Sequence, residues 1–234
     1  MVVVMAAAAA AAEIGRNFSA WESLPGAFCC TSPNYCSFYG FKSYIPSIKS
    51  VNIHIFPYTG KEDAMSQELR NINPEEIADN PFRLVGTDWM LITAGSPDSY
   101  NTMTASWGGF GVLWNKKICF CVIRPVRYTY EFIEQADSFT LAFFDEKYRS
   151  ALELCGSKSG REVDKAAETG LTPVAGKLAG TTSFAEARMV IECKKLYYQD
   201  VNPEHFIDQS IDLNYPQKDY HRMYIGEVVN CLVK

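Results

Sequence analysis

Short apolar segments separated by turn residues are the dominant pattern of this chain from about residue 89 onward. Trp89 to Ala94 is the first of them, and it stops at a Gly-Ser-Pro-Asp turn cluster. Further extended segments are predicted at residues 101–107, 118–123, 138–144, 184–198 and 224–233. The sequence contains neither a βαβ alternation nor a G-x-G-x-x-G motif, which disfavours a Rossmann fold. The pattern predicts a mainly β fold with short helices, as a closed or nearly closed antiparallel β-barrel.

Capping residues indicate where the short helices begin and end. Asn73, followed by proline and two acids, predicts one helix start. Residues 127–135 predict a second helix, and residues 145–154 predict a third that is stopped by Gly156. Residues 159–162 have the spacing of a capping box, which predicts the start of a fourth.

The first 64 residues have a different character. Seven consecutive alanines at 6–12 precede a mixed stretch rich in Ser, Pro, Asn, Tyr and Cys, and the alternation at 51–56 is too brief to build a core. We interpret residues 1–64 as a disordered extension or as the result of a start codon placed too far upstream. The working domain is then residues 65–234, with Met65 as the biological start.

Composition excludes several classes of partner. The net charge is −5 and no block of Lys and Arg is present, so nucleic acid is set aside. No apolar stretch reaches the roughly 18 residues that a membrane span needs. Residues 1–12 lack the positive region of a secretory signal, so the sequence predicts a cytoplasmic protein with no membrane partner.

The eight cysteines contain no C-x-x-C pair, so neither a zinc ribbon nor a thioredoxin-like motif is indicated. Cys119 and Cys121 lie in an apolar strand, and the period of two places both thiols on one face. We interpret the cysteines as buried free thiols in a reducing cytosol, and no metal site is predicted.

Three stretches contain residues suited to binding an anion. In residues 124–129, two arginines three positions apart leave a strand and enter a helix, which is an arrangement suited to phosphate. Residues 101–109 carry hydroxyls and small residues, with Thr102, Thr104 and Ser106 on one face. Residues 155–161 form a Gly/Ser loop with a lysine, although they do not match a P-loop. Solvated arginines, a polar edge strand and a plain capped turn are the respective alternatives.

In chain order, with the third stretch extended to residue 165 and followed by residues 221–228, the three stretches resemble the flavin reductase-like family. This family has the FMN-binding split β-barrel, and the similarity is greatest to its flavoredoxin-like branch. It extends from about Pro74 to Val233, whereas residues 1–64 have no counterpart.

The resemblance implies a homodimer that holds FMN near the subunit interface. It places the flavin ring and ribityl chain against Met103, Thr104, Ala105, Ser106 and Trp107. It places the phosphate against Arg124, Arg127, Tyr128 and Thr129, with further contacts from Ser157, Lys158 and Ser159. His221 would lie near the nicotinamide or the ring edge as the candidate catalytic residue, and a purely structural role is the alternative for it.

The implied reaction is hydride transfer from NAD(P)H to FMN, followed by electron transfer to a flavin, ferric or protein acceptor. A flavin-binding electron carrier without a nicotinamide site is the second interpretation. A structural or interaction barrel with an empty pocket is the third.

Overall fold

The computed structural model describes residues 27–32, 35–39 and 69–234. The chain divides into two compact units, residues 1–64 and residues 65–234. In the first unit, β1 (Ala27–Ser32) and β2 (Tyr35–Tyr39) form an antiparallel pair. The interpretation of residues 1–64 as disordered or wrongly started stays a prediction, because most of that segment lies outside the described residues.

The second unit is built on one sheet of eight strands, all of them paired antiparallel. Its strands are β3 (Arg70–Ile72), β4 (Met90–Ser96), β5 (Ser99–Ala105), β6 (Gly108–Leu113), β7 (Lys116–Ile123), β8 (Ser138–Phe143), β11 (Met189–Asp200) and β12 (Arg222–Val233). A separate pair consists of β9 (Pro173–Ala175) and β10 (Thr182–Phe184). The order in the large sheet is β5-β4-β8-β11-β12-β7-β6, with β3 also on β12.

The mainly β fold is thus confirmed, but the sheet differs from a closed barrel. Within residues 69–234, β5 and β6 stand at the two ends of the strand order and do not pair with each other. The sheet is therefore not closed. The predicted single strand at 184–198 is wrong in one respect, because β10 and β11 divide it.

Short helices fill the connections between strands. They are α1 (Pro81–Arg83), a π-helical turn at Leu84–Asp88, α2 (Tyr128–Gln135), α3 (Arg149–Ser157) and α4 (Lys165–Thr169). Single 3₁₀ turns occur at Pro74–Glu76, Glu146–Tyr148 and Pro203–His205, and a longer 3₁₀ segment at Gln209–Asn214. None of the helices in residues 69–234 is long and apolar enough to cross a bilayer.

The capping predictions are partly correct. Asn73 is an N-cap as predicted and forms a capping box with Glu76, but the helix it starts is a single 3₁₀ turn. Gly156 does not stop α3, which continues through Ser157. The predicted box at 159–162 is wrong, because the Ser159 hydroxyl accepts the nearby Arg161 N–H in a turn. The next helix starts at Lys165, where the Asp164 side chain accepts the Ala167 N–H at 3.1 Å.

Alternation along the strands divides the apolar core into two layers. Met90 and Ile92 of β4 point into the barrel interior, where Ile133 of α2 also packs. Leu91 points outward into the layer that contains Leu152 of α3. Each such buried side chain contributes about 1.5–3 kcal/mol. The outer layer therefore fixes α3 against the sheet.

The strand face predicted for the cysteines of β7 is confirmed. Cys119 and Cys121 are both fully buried in the barrel interior. Cys193 of β11 meets Cys119 there, with 3.0 Å between the sulfurs. Gly226 of β12 lies between these strands, opposite Cys119. A β-carbon at position 226 would lie 2.8 Å from both Cys193 Cβ and Phe139 Cζ, so the interior has no space for a side chain there.

We expect Gly226→Ala to lower the free energy of unfolding by about 1–3 kcal/mol, because the added methyl overpacks the interior. Chemical denaturation measures this change. Gly111→Ala is the matched control, since Gly111 also lies in a strand and a β-carbon there would meet nothing within 4 Å. Equal stabilities of the two variants would contradict the packing explanation.

Candidate functional site

Strand β5 and the start of α2, which belong to two of the stretches with predicted binding residues, lie side by side. The Asn101 side-chain amide donates to the Thr129 hydroxyl at 2.7 Å, and both residues are buried. Residues 101–107 and 124–129 are therefore adjacent within one protomer.

The C-terminus of α3, the third stretch, is joined to the same place by side chains from other elements. The last carbonyls of a helix have no partner within the helix. Here Lys165 donates to the Cys155 carbonyl at 2.9 Å, and Arg127 donates to the Gly156 carbonyl at 2.7 Å. Thr104 of β5 donates to a carbonyl one turn earlier, at 2.5 Å. The end of α3 is thereby fixed against β5, the start of α2 and α4.

Two glycines permit the end of α3 and the loop after it, residues 156–160, to approach β5 closely. A β-carbon at Gly156 would lie 3.3 Å from Thr104 Cβ. A β-carbon at Gly160 would lie 1.9 Å from Asn101 Oδ1 and 3.2 Å from Tyr128 Cδ1. A side chain at position 160 would therefore push residues 157–160 away from β5.

Two cations beside the C-terminal end of α3 have no acidic partner among residues 69–234. Arg127 is half-buried and is the N-cap residue of α2, whose first amides receive no side-chain cap. Burial and the charge of Arg124 lower the pKa of Arg127. Neither Arg127 nor Lys165 forms a salt bridge with a carboxylate among residues 69–234. We call Arg127, Lys165 and the amides at the start of α2 the cationic corner.

Arg124, in contrast, is engaged in a protein ion pair. One of its nitrogens lies 3.0 Å from both carboxylate oxygens of Asp219, and the other donates to the Asn214 carbonyl at 2.9 Å. The guanidinium also lies over the Tyr215 ring, 5.2 Å from its centre. Arg124 thereby holds the segment between β11 and β12 against the barrel.

His221 lies at the end of that segment, beside Trp107. The two ring centres are 5.1 Å apart. The Tyr215 hydroxyl is hydrogen-bonded to His221 Nδ1 at 2.8 Å. Burial, followed by the charge of Arg124, lowers the pKa of His221 to about 4. The imidazole is therefore neutral at pH 7, with Nε2 left for a further partner.

The other predicted binding residues differ in how accessible they are. Met103 is buried in the barrel interior, whereas Trp107 is 44% exposed. Ala105 and Ser106 are half-buried at the end of β5. Tyr128 packs edge-on against Phe132.

Four of the predicted hydroxyls are engaged within the protein. Thr102 and Thr104 share the outer face as predicted, but Thr102 bonds to Thr93 at 2.9 Å and Thr104 to α3. Ser157 donates back to the Glu153 carbonyl at 2.8 Å, and Ser159 accepts a backbone amide. Among the predicted binding residues 157–159, Lys158 alone has an exposed charged side chain that forms no hydrogen bond within the described part of the chain.

The sequence did not single out several residues that build the site. Lys165 and Gly160 lie in the recognised 155–165 stretch. Lysine is rarely buried, and nothing in that stretch indicated that Lys165 is buried. Tyr215 and Asp219 precede the recognised 221–228 stretch. Aromatic residues clustered beside a lone histidine were the signal available for them.

Comparison with known proteins identifies the family of this chain. Residues 82–234 match the family model described as flavin reductase like domain. Comparison with curated protein sequences finds no match.

Solved structures with the same fold include three flavin proteins. An FMN-binding domain of a flavin reductases-like enzyme from Shewanella baltica OS155 is 18% identical, with a TM-score of 0.52, over 70% of this chain and 76% of that one. An FMN-binding protein from Thermus thermophilus with bound p-hydroxybenzaldehyde is 20% identical, with a TM-score of 0.51, over 70% and 78%. Flavoredoxin of Desulfovibrio vulgaris (Miyazaki F) is 24% identical, with a TM-score of 0.50, over 70% and 77%.

We expect the His221 imidazole to stay neutral down to about pH 5, because its pKa is about 4. Arg124→Gln should raise that pKa, since it removes a cation that disfavours the protonated ring and leaves Asp219 facing it. Titration of the imidazole signals by NMR measures both values, with Arg83→Gln as the control. A His221 that titrates near its ordinary pKa of 6.5 in the unsubstituted protein would contradict the burial argument.

Proposed function

Because the chain belongs to the flavin reductase-like family, we propose that it binds FMN and passes electrons from NAD(P)H through FMN to a flavin, ferric or protein acceptor. The enzyme activity, the homodimer and the small-molecule substrate implied by the resemblance belong to this proposal, as does the cytoplasmic location predicted from composition. Its binding residues are Arg127 and the α2 amides of the cationic corner, the end of β5 and the loop after α3.

The unpaired positive charge of the cationic corner is the observation that carries the proposal. A buried or half-buried cation without an anion is unfavourable, so a site of this kind favours an anionic ligand. The phosphate of FMN is close to dianionic at pH 7. A charge-assisted hydrogen bond from Arg127 contributes about 1.5–3 kcal/mol.

The backbone around this corner suits the same group. The start of α2 offers amides without a capping side chain, which is a common anchor for phosphate. Gly156 and Gly160 bring the loop after α3 within contact distance of β5. The residues present thus fit the phosphate end of FMN, with Arg127 and the α2 amides as its direct donors and Tyr128, Thr129 and Lys158 beside them.

The other end of the site has a different chemical character. Trp107 offers an exposed aromatic surface on which a flat heterocycle packs. The neutral imidazole of His221, held by Tyr215, offers a hydrogen-bonding group that does not change charge at physiological pH. Arg124 lies over the Tyr215 ring and pairs with Asp219, and it leaves the phosphate to Arg127.

When bound, FMN supplies hydride acceptance and electron transfer, and the protein supplies binding and orientation. His221 and Trp107 position the reacting partner, and the half-buried location of His221 limits access of water to that end of the site.

The direct test is an absorbance spectrum of the purified protein, followed by anaerobic addition of NADH or NADPH. We expect flavin bands that bleach with one of the two nucleotides. A protein that stays colourless and fails to bind added FMN would overturn the proposal. Bound FMN that neither nucleotide reduces would reject the nicotinamide step and leave the electron carrier interpretation.

We expect Arg127→Ala to weaken FMN binding about 10- to 100-fold, equivalent to about 1.4–2.8 kcal/mol, because the phosphate loses its main cation. Fluorescence titration of the flavin measures the dissociation constant. Arg83→Ala is the matched control, since its exposed guanidinium pairs with Asp88. Unchanged FMN affinity in the Arg127 variant would remove this residue from the site.

A further inference from the structure

Lys165, the first residue of α4, is a buried lysine. Its side chain is almost fully buried, with 7% of the residue exposed. The ammonium donates to the Thr102 carbonyl at 2.7 Å and to the Cys155 carbonyl at 2.9 Å. A lysine is seldom buried without an acidic partner, since removing its charge from water is costly. Its role in this position therefore requires an explanation.

The two carbonyls belong to the two backbone segments of the candidate site. Thr102 lies in β5, and Cys155 lies next to Gly156 at the end of α3. Since Arg127 bonds to the Gly156 carbonyl, two cations bind successive carbonyls of the same helix end. Lys165 thus joins β5 to the C-terminal end of α3, and Arg127 bonds to the next carbonyl of the same helix end.

The groups that face Lys165 do not neutralise it. From α3 it faces the Cys155 thiol, whose pKa burial raises to about 11, so the thiol is uncharged at pH 7. From the start of α2 it faces Arg127, another cation. The neighbouring Asp164 carboxylate accepts the Ala167 amide, and it is not among the salt bridges formed within residues 69–234. Burial first, and then Arg127, lower the pKa of Lys165 to about 8.

We propose that Lys165 is a positioning residue of the FMN phosphate site. It orders the backbone at residues 102 and 155–156, and it adds a buried positive charge near Arg127. This inference rests on the proposed function. Lys165 is assigned a positioning role because its side chain is buried and two of its ammonium N–H groups bond to backbone carbonyls. It acts on the phosphate through Arg127 and the loop.

The charge of Lys165 couples FMN affinity to pH with a definite sign. A bound phosphate favours the protonated amine, so FMN raises the pKa of Lys165. By linkage, affinity is highest below the pKa of the free protein, about 8, and falls as the pH rises above it. The phosphate itself is already dianionic in that range, since its second pKa is about 6.

The experiment compares FMN with riboflavin, which lacks the phosphate, in the full-length protein and in Lys165→Met. We expect the substitution to weaken FMN binding by about tenfold and riboflavin binding by less than about twofold. Lys147→Met is the matched control, because Lys147 is exposed just before the opposite end of α3. We expect it to leave both affinities unchanged.

The second measurement is FMN affinity from about pH 7 to pH 9.5. The unsubstituted protein should lose affinity across this range and Lys165→Met should not. The measurement on the unsubstituted protein remains informative if the variant fails to fold, because an FMN affinity that stays constant from pH 7 to 9.5 contradicts the buried charge.

Three outcomes distinguish failure of the Lys165 role from failure of the proposed function. Equal losses of FMN and riboflavin affinity in Lys165→Met would overturn the positioning role and indicate a general structural one. Unchanged FMN affinity would overturn it as well. An unsubstituted protein that does not bind FMN at all would instead overturn the proposed function.

Discussion

The hydrogen bonds that satisfy the C-terminal carbonyls of α3 are the interactions on which the rest of the site depends. A helix end leaves carbonyls that need donors, and here Arg127 and Lys165 supply them from two other elements, while Thr104 bonds to a carbonyl one turn earlier. Cations are also favoured at this end by the helix dipole. One small helix thereby fixes β5, the start of α2 and α4 relative to each other, and two glycines keep the gap between them narrow.

Two arginines three residues apart have separate tasks at this site. Arg124 ends β7 and closes an ion pair with Asp219, and so its charge is compensated within the protein. Arg127 begins α2 and bonds only to a carbonyl of α3, so its charge remains available. This division separates the site into a cationic end suited to phosphate and an aromatic end with a neutral histidine.

The connection between β11 and β12 forms the aromatic end. Its rings pack on one another, with Tyr215 and Tyr220 at 4.9 Å and Phe206 stacked on Tyr215 at 6.2 Å. This packing buries the Tyr215–His221 pair, and burial is the main cause of the low pKa of His221. Packing of the segment just before the 221–228 stretch therefore determines the protonation state of the candidate catalytic residue.

The sequence by itself determined the mainly β fold, the positions of most strands, the shared face of Cys119 and Cys121, and the capping role of Asn73. These features depend on patterns of a few residues, which are local. It also indicated the three binding stretches, although motif order alone does not show their contacts. The tertiary structure decided the open edge between β5 and β6, the pairing of Arg124 with Asp219 and the burial of Lys165. Each of these depends on residues far apart in the chain, as the 95 positions between Arg124 and Asp219 illustrate. Charge compensation and burial are properties of neighbours in space, and no local pattern specifies which distant residue becomes the neighbour.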